Sequence, residues 1–291
     1  MKIQTVFSDK FAANTPTPSM RKLEPVARAA EAAGLAQLQS PDNAHLLGVV
    51  TRLNAIHDPQ YVEAFVTGRG RLASSNGFPW TPAIRDGVLA MNAGMLTGAR
   101  LAMAHGVACA VAQGAHHAHP EHGGGFCTFN SFALVANEAP GRRVFVLDCD
   151  EHGGDGTAAF AKRMDNLFNY SVCGSPFGAG QHGRSVVDRV QLDGIFKPYS
   201  DALFRAFKAA DQFKPGLVIY NAGCDPHVGD PLGSVGLTQT MIRLRDKMVF
   251  DHFKKAGIPV LWALAGGYNR DMNFLVGLHL EAFRAAQDVW R

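Results

Sequence analysis

The chain has 291 residues, of which 47% are hydrophobic and 18% are charged, a composition typical of an ordered globular protein. The formal net charge of only +3 gives no reason to expect direct binding to nucleic acid. No apolar run approaches the ~20 residues that a membrane-spanning helix needs, so we expect no membrane association.

The amino terminus and the cysteines indicate a cytoplasmic protein. Residues 1–9 contain no apolar stretch long enough for a signal peptide. None of the cysteines forms a C-x-x-C pair, and most lie in or beside apolar runs, as expected of buried, reduced thiols. The five are Cys109, Cys127, Cys149, Cys173 and Cys224. We therefore expect a soluble cytoplasmic protein, with its oligomeric state open.

Apolar runs that resemble strands alternate with helix-like stretches along the chain. In chain order the predicted elements are a helix at 59–66 within an otherwise irregular segment at 40–82, a helix at 89–104, a strand at 107–111, a helix at 131–138, a strand at 144–147, weaker strands at 167–172 and 186–192, a helix at 200–213, a strand at 217–220, a helix at 238–256 and a strand at 260–264. This alternation predicts an α/β fold with a parallel sheet and helices on both faces. No linker or repeat divides the chain, so we expect residues 1–291 to form one domain.

Polar residues follow each of the four strong strands. Gly114–His117 follows the first, an acidic motif at 148–156 follows the second, Asn221–Asp225 follows the third and Ala265–Tyr268 follows the fourth. In open parallel sheets, ligands bind beyond the carboxyl ends of the strands. The sequence therefore predicts a single site at that edge of the sheet.

The acidic motif is a candidate metal site. Asp148, Asp150 and His152 are spaced two residues apart, so they face the same side while the chain stays extended. Two carboxylates and an imidazole suit zinc, and a catalytic zinc takes three protein ligands. Asp150, His152 and Asp225 are the candidate ligands. Each acid taken alone is more often part of a salt bridge or a helix cap.

The adjacent histidines His116 and His117 fit acid–base chemistry beside such a metal. Each needs a carboxylate to fix its tautomer, and Asp148 and Asp155 are available. An alternative is a metal-binding histidine tract formed by His116, His117, His119 and His122. Glycine, proline and glutamate interrupt that tract, which makes this alternative weaker.

Tyr268 follows two glycines at a strand end, where its phenol could donate to a developing oxyanion. Taken alone, it could equally be a half-buried tyrosine in a turn.

In this order the motifs resemble the zinc-dependent histone deacetylase family of the arginase–deacetylase fold. The residues that carry the resemblance are Gly114–His117, Gly124–Asn130, Asp148–Gly156, Gly223–Asp225, Gly229–Gly233 and Gly266–Tyr268. Residues 77–82 also look like the bacterial and class IV branch. The resemblance implies a single three-layer α/β/α domain that removes an acyl group from the side-chain amine of lysine or a related amine.

The resemblance also implies roles for individual residues. Asp150, His152 and Asp225 would bind zinc, His117 paired with Asp155 would be the general acid and base, and His116 paired with Asp148 would act electrostatically. Tyr268 would polarise the acyl carbonyl, and Gly125, Phe126 and Phe177 would line the acyl-lysine tunnel. A potassium ion would be held by Asp148, Asp150, His152, Ser171 and Val172.

Three departures from the family pattern concern the substrate and the metal motif. Gly153 stands where the family often has a second histidine, but that position is not a ligand. No acidic residue between Gly68 and Thr81 matches the rim aspartate that grips a peptide backbone. Leu232 stands where polyamine-selective relatives carry glutamate, which argues mildly against acetylpolyamines.

The leading interpretation is a zinc deacylase, whose substrate would be an acyl-lysine protein or peptide or a small acylated amine such as an acetylpolyamine. Two other functions are alternatives. A binuclear manganese ureohydrolase of the same fold needs more carboxylates than D-x-D-x-H and a solitary Asp225 supply. A catalytically silent binding protein would be expected to have lost Tyr268 or the histidine pair, and both are present.

Overall fold

The computed structural model describes residues 1–291, and its centre is one sheet of eight strands. The strands are β1 (Ile3–Val6), β2 (Ala36–Gln39), β3 (Val107–Ala110), β4 (Val144–Asp148), β5 (Leu167–Cys173), β6 (Ser185–Arg189), β7 (Leu217–Asn221) and β8 (Val260–Ala263). They lie in the order β2-β1-β3-β8-β7-β4-β5-β6, and every neighbouring pair is parallel. The predicted α/β fold with a mainly parallel sheet is therefore confirmed.

Two rows of helices flank the sheet. The helices are α1 (Pro18–Arg21), α2 (Leu23–Ala32), α3 (Asn43–Asn54), α4 (Pro59–Thr67), α5 (Pro82–His105), α6 (Ser131–Asn137), α7 (Asp155–Ala161), α8 (Lys197–Phe213), α9 (Gln239–Lys255) and α10 (Met272–Val289), with short 3₁₀ turns at Asp9–Phe11 and Arg71–Ser74. One row contains α5, α6 and α7, and the other contains α2, α10, α9 and α8. The sheet and both rows enclose a continuous core of 80 buried residues.

The four central strands are apolar except at the carboxyl ends of β4 and β7, because both faces of the sheet are covered. Every residue of β3, β4, β7 and β8 is buried. Parallel strands buried on both faces have continuous apolar sequences instead of an alternating pattern. The apolar runs therefore identify all four strands from the sequence. The observed end of each strand differs from the predicted end by one residue.

The segment at 40–82 is more helical than predicted. The predicted helix at 59–66 is α4, but α3 precedes it and a 3₁₀ turn follows it. The irregular interpretation of residues 43–54 is therefore wrong. The prolines and glycines that suggested loops lie outside α3, except for Gly48.

The sequence pattern does not predict several elements, most of them near the two ends of the chain. β1 and β2 have only four residues each, and β2 contains two glutamines, so their strand signal is weak. The sequence pattern also does not predict the helices α1, α2, α7 and α10. Helix α5 begins at Pro82, seven residues before the predicted start, because Pro82 occupies its first turn and the Thr81 hydroxyl accepts from the Ile84 N–H at 3.1 Å.

The sheet order brings the predicted polar segments together. Strands β3, β8, β7 and β4 are consecutive neighbours, and all four point the same way. The loops that leave their carboxyl ends therefore converge on one edge. None of the helices is both long enough and apolar enough to cross a lipid bilayer.

Candidate metal centre and active site

The acidic motif starts inside the sheet. Asp148 is the last residue of β4 and is fully buried. Its Oδ1 accepts hydrogen bonds from the Asp150 N–H at 3.2 Å and from Asn221 Nδ2 at 2.7 Å. These bonds fix the carboxylate against the end of β7 and leave its other oxygen free for a further partner.

Asp150, His152 and Asp225 come together beyond the ends of β4 and β7. One ligand atom from each lies within 4.8 Å of the others. His152 Nδ1 is 3.1 Å from Asp150 Oδ1 and 3.5 Å from Asp225 Oδ2. The His152 side chain is 16% exposed, whereas both carboxylates are buried. Solvent therefore reaches the cluster on the side where the His152 imidazole lies.

The charges of this cluster fit a divalent cation. Asp225 Oδ2 is buried and accepts no hydrogen bond, which is costly for a carboxylate oxygen. Burial and the charge of Asp150 raise the pKa of Asp225 to about 8. Two carboxylates and an imidazole are ligands that zinc accepts. A cation bound by these three residues would satisfy the unpartnered oxygen and offset the concentrated negative charge.

The histidine pair lies beside this cluster, in the loop after β3. His116 Nδ1 is 2.8 Å from Asp148 Oδ2, and His117 Nδ1 is 2.7 Å from Asp155 Oδ1. The two imidazole centroids are 3.9 Å apart. A carboxylate accepts from each Nδ1–H, which leaves each Nε2 directed away from its carboxylate. Each histidine is therefore hydrogen-bonded to the aspartate expected from the sequence.

The two imidazoles have opposite electrostatic environments. Burial alone would lower the pKa of His116, but Asp148 and Asp150 outweigh it and raise that pKa to about 9. Burial and the neighbouring His116 lower the pKa of His117, against the effect of Asp155. His116 is therefore suited to carry a positive charge, and His117 is suited to be neutral and accept a proton.

A strained turn packs against His117. Gly125 has φ +49° and Phe126 has φ +68°, a region that residues with side chains rarely adopt. A Cβ on Gly125 would lie 2.3 Å from His117 Cδ2. The Phe126 ring is stacked on Phe78 at 5.1 Å and lies 5.9 Å from the Tyr268 ring. The turn therefore places an aromatic ring between Phe78 and Tyr268 while leaving room for the imidazole.

The loop after β8 connects the metal cluster to Tyr268. The Gly266 N–H donates to Asp150 Oδ2 at 2.8 Å, and the Tyr268 N–H donates to Asp230 Oδ2 at 2.7 Å. Burial, followed by the charges of Asp150 and Asp225, raises the pKa of Tyr268 well above its ordinary value. Its hydroxyl therefore stays protonated and can serve as a hydrogen-bond donor.

Comparison with known proteins agrees with this geometry. The family described as "Histone deacetylase domain" matches residues 18–276, which is most of the chain. The chain belongs to the histone deacetylase family. This finding confirms the resemblance and places the protein among hydrolases.

Relatives of this deacetylase-family protein occur in bacteria and plants. It is 34% identical over 262 residues to an uncharacterised protein of Picosynechococcus sp., with 87% of this chain and 85% of that protein covered. It is 34% identical over 186 residues to histone deacetylase 2 of Arabidopsis thaliana, covering 60% of this chain and 48% of that protein. It is 31% identical over 172 residues to a histone deacetylase-like amidohydrolase of Pseudomonas aeruginosa, covering 53% of this chain and 45% of that protein. The chain thus spans about half the length of these two named relatives.

Solved structures show the same fold. An acetylpolyamine aminohydrolase from Burkholderia pseudomallei superposes with a TM-score of 0.84 over 99% of both chains, at 19% identity. The HD domain of HDA15 superposes with a TM-score of 0.81 over 99% of this chain and 90% of that one, at 20% identity. The three-layer arginase–deacetylase architecture of this family member is therefore confirmed.

Two apolar side chains that the sequence assigned to substrate contact are exposed. Phe177 is 55% exposed, and its ring lies 4.9 Å from that of His117 and 5.9 Å from that of His152. Leu232 is 46% exposed, and its N–H donates to Asp230 Oδ1 at 3.0 Å. Phe177 therefore lies beside His117 and His152, whereas Leu232 contacts the Asp230 carboxylate, which also accepts from the Tyr268 N–H.

Glu151, for which the sequence suggested no role, ties both of these loops to the metal motif. Its Oε1 accepts from the Ser234 hydroxyl at 2.5 Å, and its Oε2 accepts from the Val235 N–H at 3.2 Å. Its carbonyl oxygen accepts from the N–H groups of Gly174 and Ser175 at 3.1 and 3.0 Å. The side chain thus holds the loop that carries Leu232, and the backbone holds the loop that carries Phe177.

The remaining residues of the expected potassium site lie on β5. Ser171 pairs in register with Asp148, and the Ser171 hydroxyl accepts from the Gly154 N–H at 3.1 Å. Ser171 and Val172 are fully buried. The potassium ion itself stays a prediction.

Lys22 is a residue at the site that the sequence did not reveal. Its side chain is fully buried, and its Nζ donates to the carbonyl oxygens of Ala265 at 2.6 Å and Gly267 at 3.3 Å. Ala265 has φ +58°, so the ammonium group stabilises an unfavourable backbone conformation just before Tyr268. A lysine between apolar Met20 and Leu23 was the available signal, but its partners are about 240 residues away in the chain.

Proposed function

We propose that this protein is a zinc-dependent deacylase that removes an acyl group from the side-chain amine of lysine or from a related amine. One observation carries the proposal: Asp225 Oδ2, buried and without a hydrogen-bond partner, faces His152 beside Asp150, next to a histidine pair held by two further carboxylates. Family membership supports the hydrolase class, and the extent of the sheet and core supports residues 1–291 acting as one catalytic domain.

Asp150, His152 and Asp225 would hold the zinc ion. When bound there, zinc would supply Lewis-acid polarisation of an acyl carbonyl and would lower the pKa of a water at its open position. One such cluster exists in the chain, which favours one metal over the two of a ureohydrolase. A potassium ion at Asp148 and Ser171 would add positive charge behind the same motif.

His117 would move the proton. Its Nδ1–H is held by Asp155, so Nε2 is the atom that can accept a proton from the attacking water and return it to the leaving amine nitrogen. The lowered pKa of His117 keeps this nitrogen unprotonated before the reaction. Asp155 would fix the tautomer and stabilise the imidazolium that forms.

His116 and Tyr268 would stabilise charge instead of moving protons. The raised pKa of His116, caused by Asp148 and Asp150 against the effect of burial, favours its cationic form next to the reaction centre. The Tyr268 hydroxyl, kept protonated by burial, would donate to the acyl oxygen as negative charge develops on it. Both roles match those that the family resemblance implies.

The substrate would enter between aromatic side chains. Gly125, Phe126 and Phe177 would line the path of the acylated amine, and Leu232 would lie at its rim. These groups offer apolar contact to an alkyl chain, and Leu232 supplies no carboxylate for a second ammonium group. Acyl-lysine therefore fits this rim better than an acetylpolyamine does, whether the lysine belongs to a protein or to a peptide.

Hydrolysis of matched substrates by two variants tests the proposal. Acetyl-lysine peptide, a longer acyl-lysine peptide and N-acetylputrescine are compared for kcat/KM with the wild-type protein, D225N and D193N. D225N removes a charge from the metal cluster and should abolish hydrolysis of every substrate. D193N removes the same charge at an exposed position after β6 and should leave hydrolysis unchanged.

The outcomes separate the parts of the proposal. Activity of D225N close to that of the wild type, or full activity of the wild type after exhaustive chelation, would contradict a catalytic metal at this cluster. A higher kcat/KM for N-acetylputrescine than for both peptides would contradict lysine as the preferred amine and leave the amidohydrolase chemistry standing.

A further inference from the structure

Arg245 is a fully buried arginine in the middle of α9. Arginine is almost never fully buried unless its charge is paired. The partner here is the adjacent Asp246, whose Oδ1 accepts from Arg245 Nε at 2.9 Å and from the Tyr220 hydroxyl at 2.5 Å. The ion pair therefore belongs to the interior of the protein and not to its solvated surface.

The same guanidinium group reaches the backs of two metal-binding turns. Arg245 Nη1 donates to the carbonyl oxygen of Cys149 at 3.2 Å and to that of Gly223 at 2.7 Å. Cys149 lies between Asp148 and Asp150, and Gly223 lies two residues before Asp225. A single nitrogen thus links the turn after β4 to the turn after β7.

The two turns are also in direct contact with each other. The Glu151 N–H donates to Asp225 Oδ1 at 3.1 Å, and a Cβ on Gly223 would lie 2.7 Å from Asp150 Cα. The backbone spacing between Asp150 and Asp225 is therefore constrained both by this contact and by Arg245. Loss of the link from Arg245 would leave this direct contact as the remaining constraint on the two carboxylates.

We propose that Arg245 is a positioning residue for the metal centre, which sets the spacing of Asp150 and Asp225 by holding the carbonyl oxygens of Cys149 and Gly223. This inference rests on the proposed function, because it assigns the residue a role toward the zinc that those carboxylates would bind. Partners outside the ligand shell commonly change metal affinity without touching the metal.

Zinc affinity, measured by competition with a chromophoric chelator, tests this role. R245M keeps an unbranched side chain but removes the donors, and it should weaken zinc binding at least ~10-fold, the size typical of such outer partners. R243M is the matched control two residues away on α9. Arg243 pairs with Glu281 and Asp288 at 3.4 and 2.7 Å and is 42% exposed, so its loss should change zinc affinity by less than about twofold.

R245K gives a second measurement that keeps the charge beside Asp246. An ammonium group lacks the planar fork of arginine, so it should hold the two carbonyl oxygens less well and weaken zinc binding at least about threefold. This variant decides the question if circular dichroism shows that R245M does not fold. The absorption bands of the cobalt-substituted proteins should shift in R245M and R245K and stay unchanged in R243M.

The role of Arg245 is overturned if folded R245M, or R245K where R245M does not fold, binds zinc as tightly as the wild type. Equal weakening in R243M would also overturn it, because the effect would then reflect general destabilisation of α9. Failure of the wild-type protein to bind zinc would instead contradict the proposed function. The two failures are therefore distinguishable in one set of titrations.

Discussion

Acidification should destabilise the fold through His57, a buried histidine outside the proposed active site. Its Nδ1 lies 3.0 Å from the carbonyl oxygen of His119 and 3.3 Å from that of Pro120, and its Nε2 lies 3.1 Å from the Asn130 nitrogen. Carbonyl oxygens only accept, so Nδ1 carries the hydrogen and Nε2 accepts from the Asn130 N–H. A second proton on the ring would remove that acceptor from the loop that follows the histidine pair.

The structure gives the size and the sign of the effect. Burial, opposed by the hydrogen bonds to Pro120 and His119, lowers the pKa of His57 from 6.5 to about 4. Because the folded-state pKa is the lower one, the unfolded chain binds more protons between these values. Stability is therefore complete above about pH 6.5, falls as the pH decreases to about 4, and loses nothing further below that. At pH ~5 the loss is about 2 kcal/mol.

Urea unfolding of the metal-free protein measures this loss. The free energy of unfolding is determined between about pH 8 and about pH 5 for the wild type and for H57Q, whose amide can donate and accept but does not titrate. The difference between the two proteins removes the contributions of all other titrating groups. Between about pH 8 and about pH 5, the free energy of unfolding of the wild type should fall by about 2 kcal/mol more than that of H57Q.

A constant difference between wild type and H57Q across the range would refute the assigned tautomer and burial. A shift in the opposite direction would mean that His57 is protonated in the folded protein. An NMR titration of the His57 ring, with an apparent pKa near its ordinary value, would contradict the argument independently.

Three further predictions concern catalysis. Y268F should lower kcat about 10²-fold while zinc content stays unchanged, since it removes only the hydroxyl proposed to donate to the acyl oxygen. An unchanged kcat would exclude that role. G125A should lower kcat/KM by at least ~10-fold, because its Cβ would collide with the His117 ring, whereas G183A, with open space around its Cα, should be neutral. L232E should raise kcat/KM for N-acetylputrescine about tenfold relative to acetyl-lysine peptide by pairing the distal ammonium, and equal changes for both would contradict its place at the rim.

The central strands and the site motifs could be predicted because their signals are local. Every residue of β4 is apolar or lies at the strand end, and the acids of the motif follow at once. Parallel pairing then brings the ends of β3, β4, β7 and β8 to one edge without further information. The contact of Asp225 with His152 follows from that topology, although 73 residues separate them in the chain.

The supporting residues could not be predicted because their partners are backbone atoms far along the chain. Lys22 donates to the Ala265 carbonyl, and Arg245 donates to that of Cys149, at separations of 243 and 96 residues. A carbonyl oxygen is present at every position, so the sequence carries no mark of which one is used. β1 and β2 were missed for another reason, since four-residue strands give too short a pattern to identify.

Zinc titration of the metal-free protein tests whether Asp150, His152 and Asp225 form a catalytic zinc site. Aliquots of zinc are added to a chelator-treated sample, and bound metal and hydrolysis of an acetyl-lysine peptide are followed together. Both should rise in parallel and reach a plateau at one zinc per chain, with Asp150, His152 and Asp225 as the ligands. Full hydrolysis before any zinc is added, or a plateau at two metals per chain, would contradict this assignment.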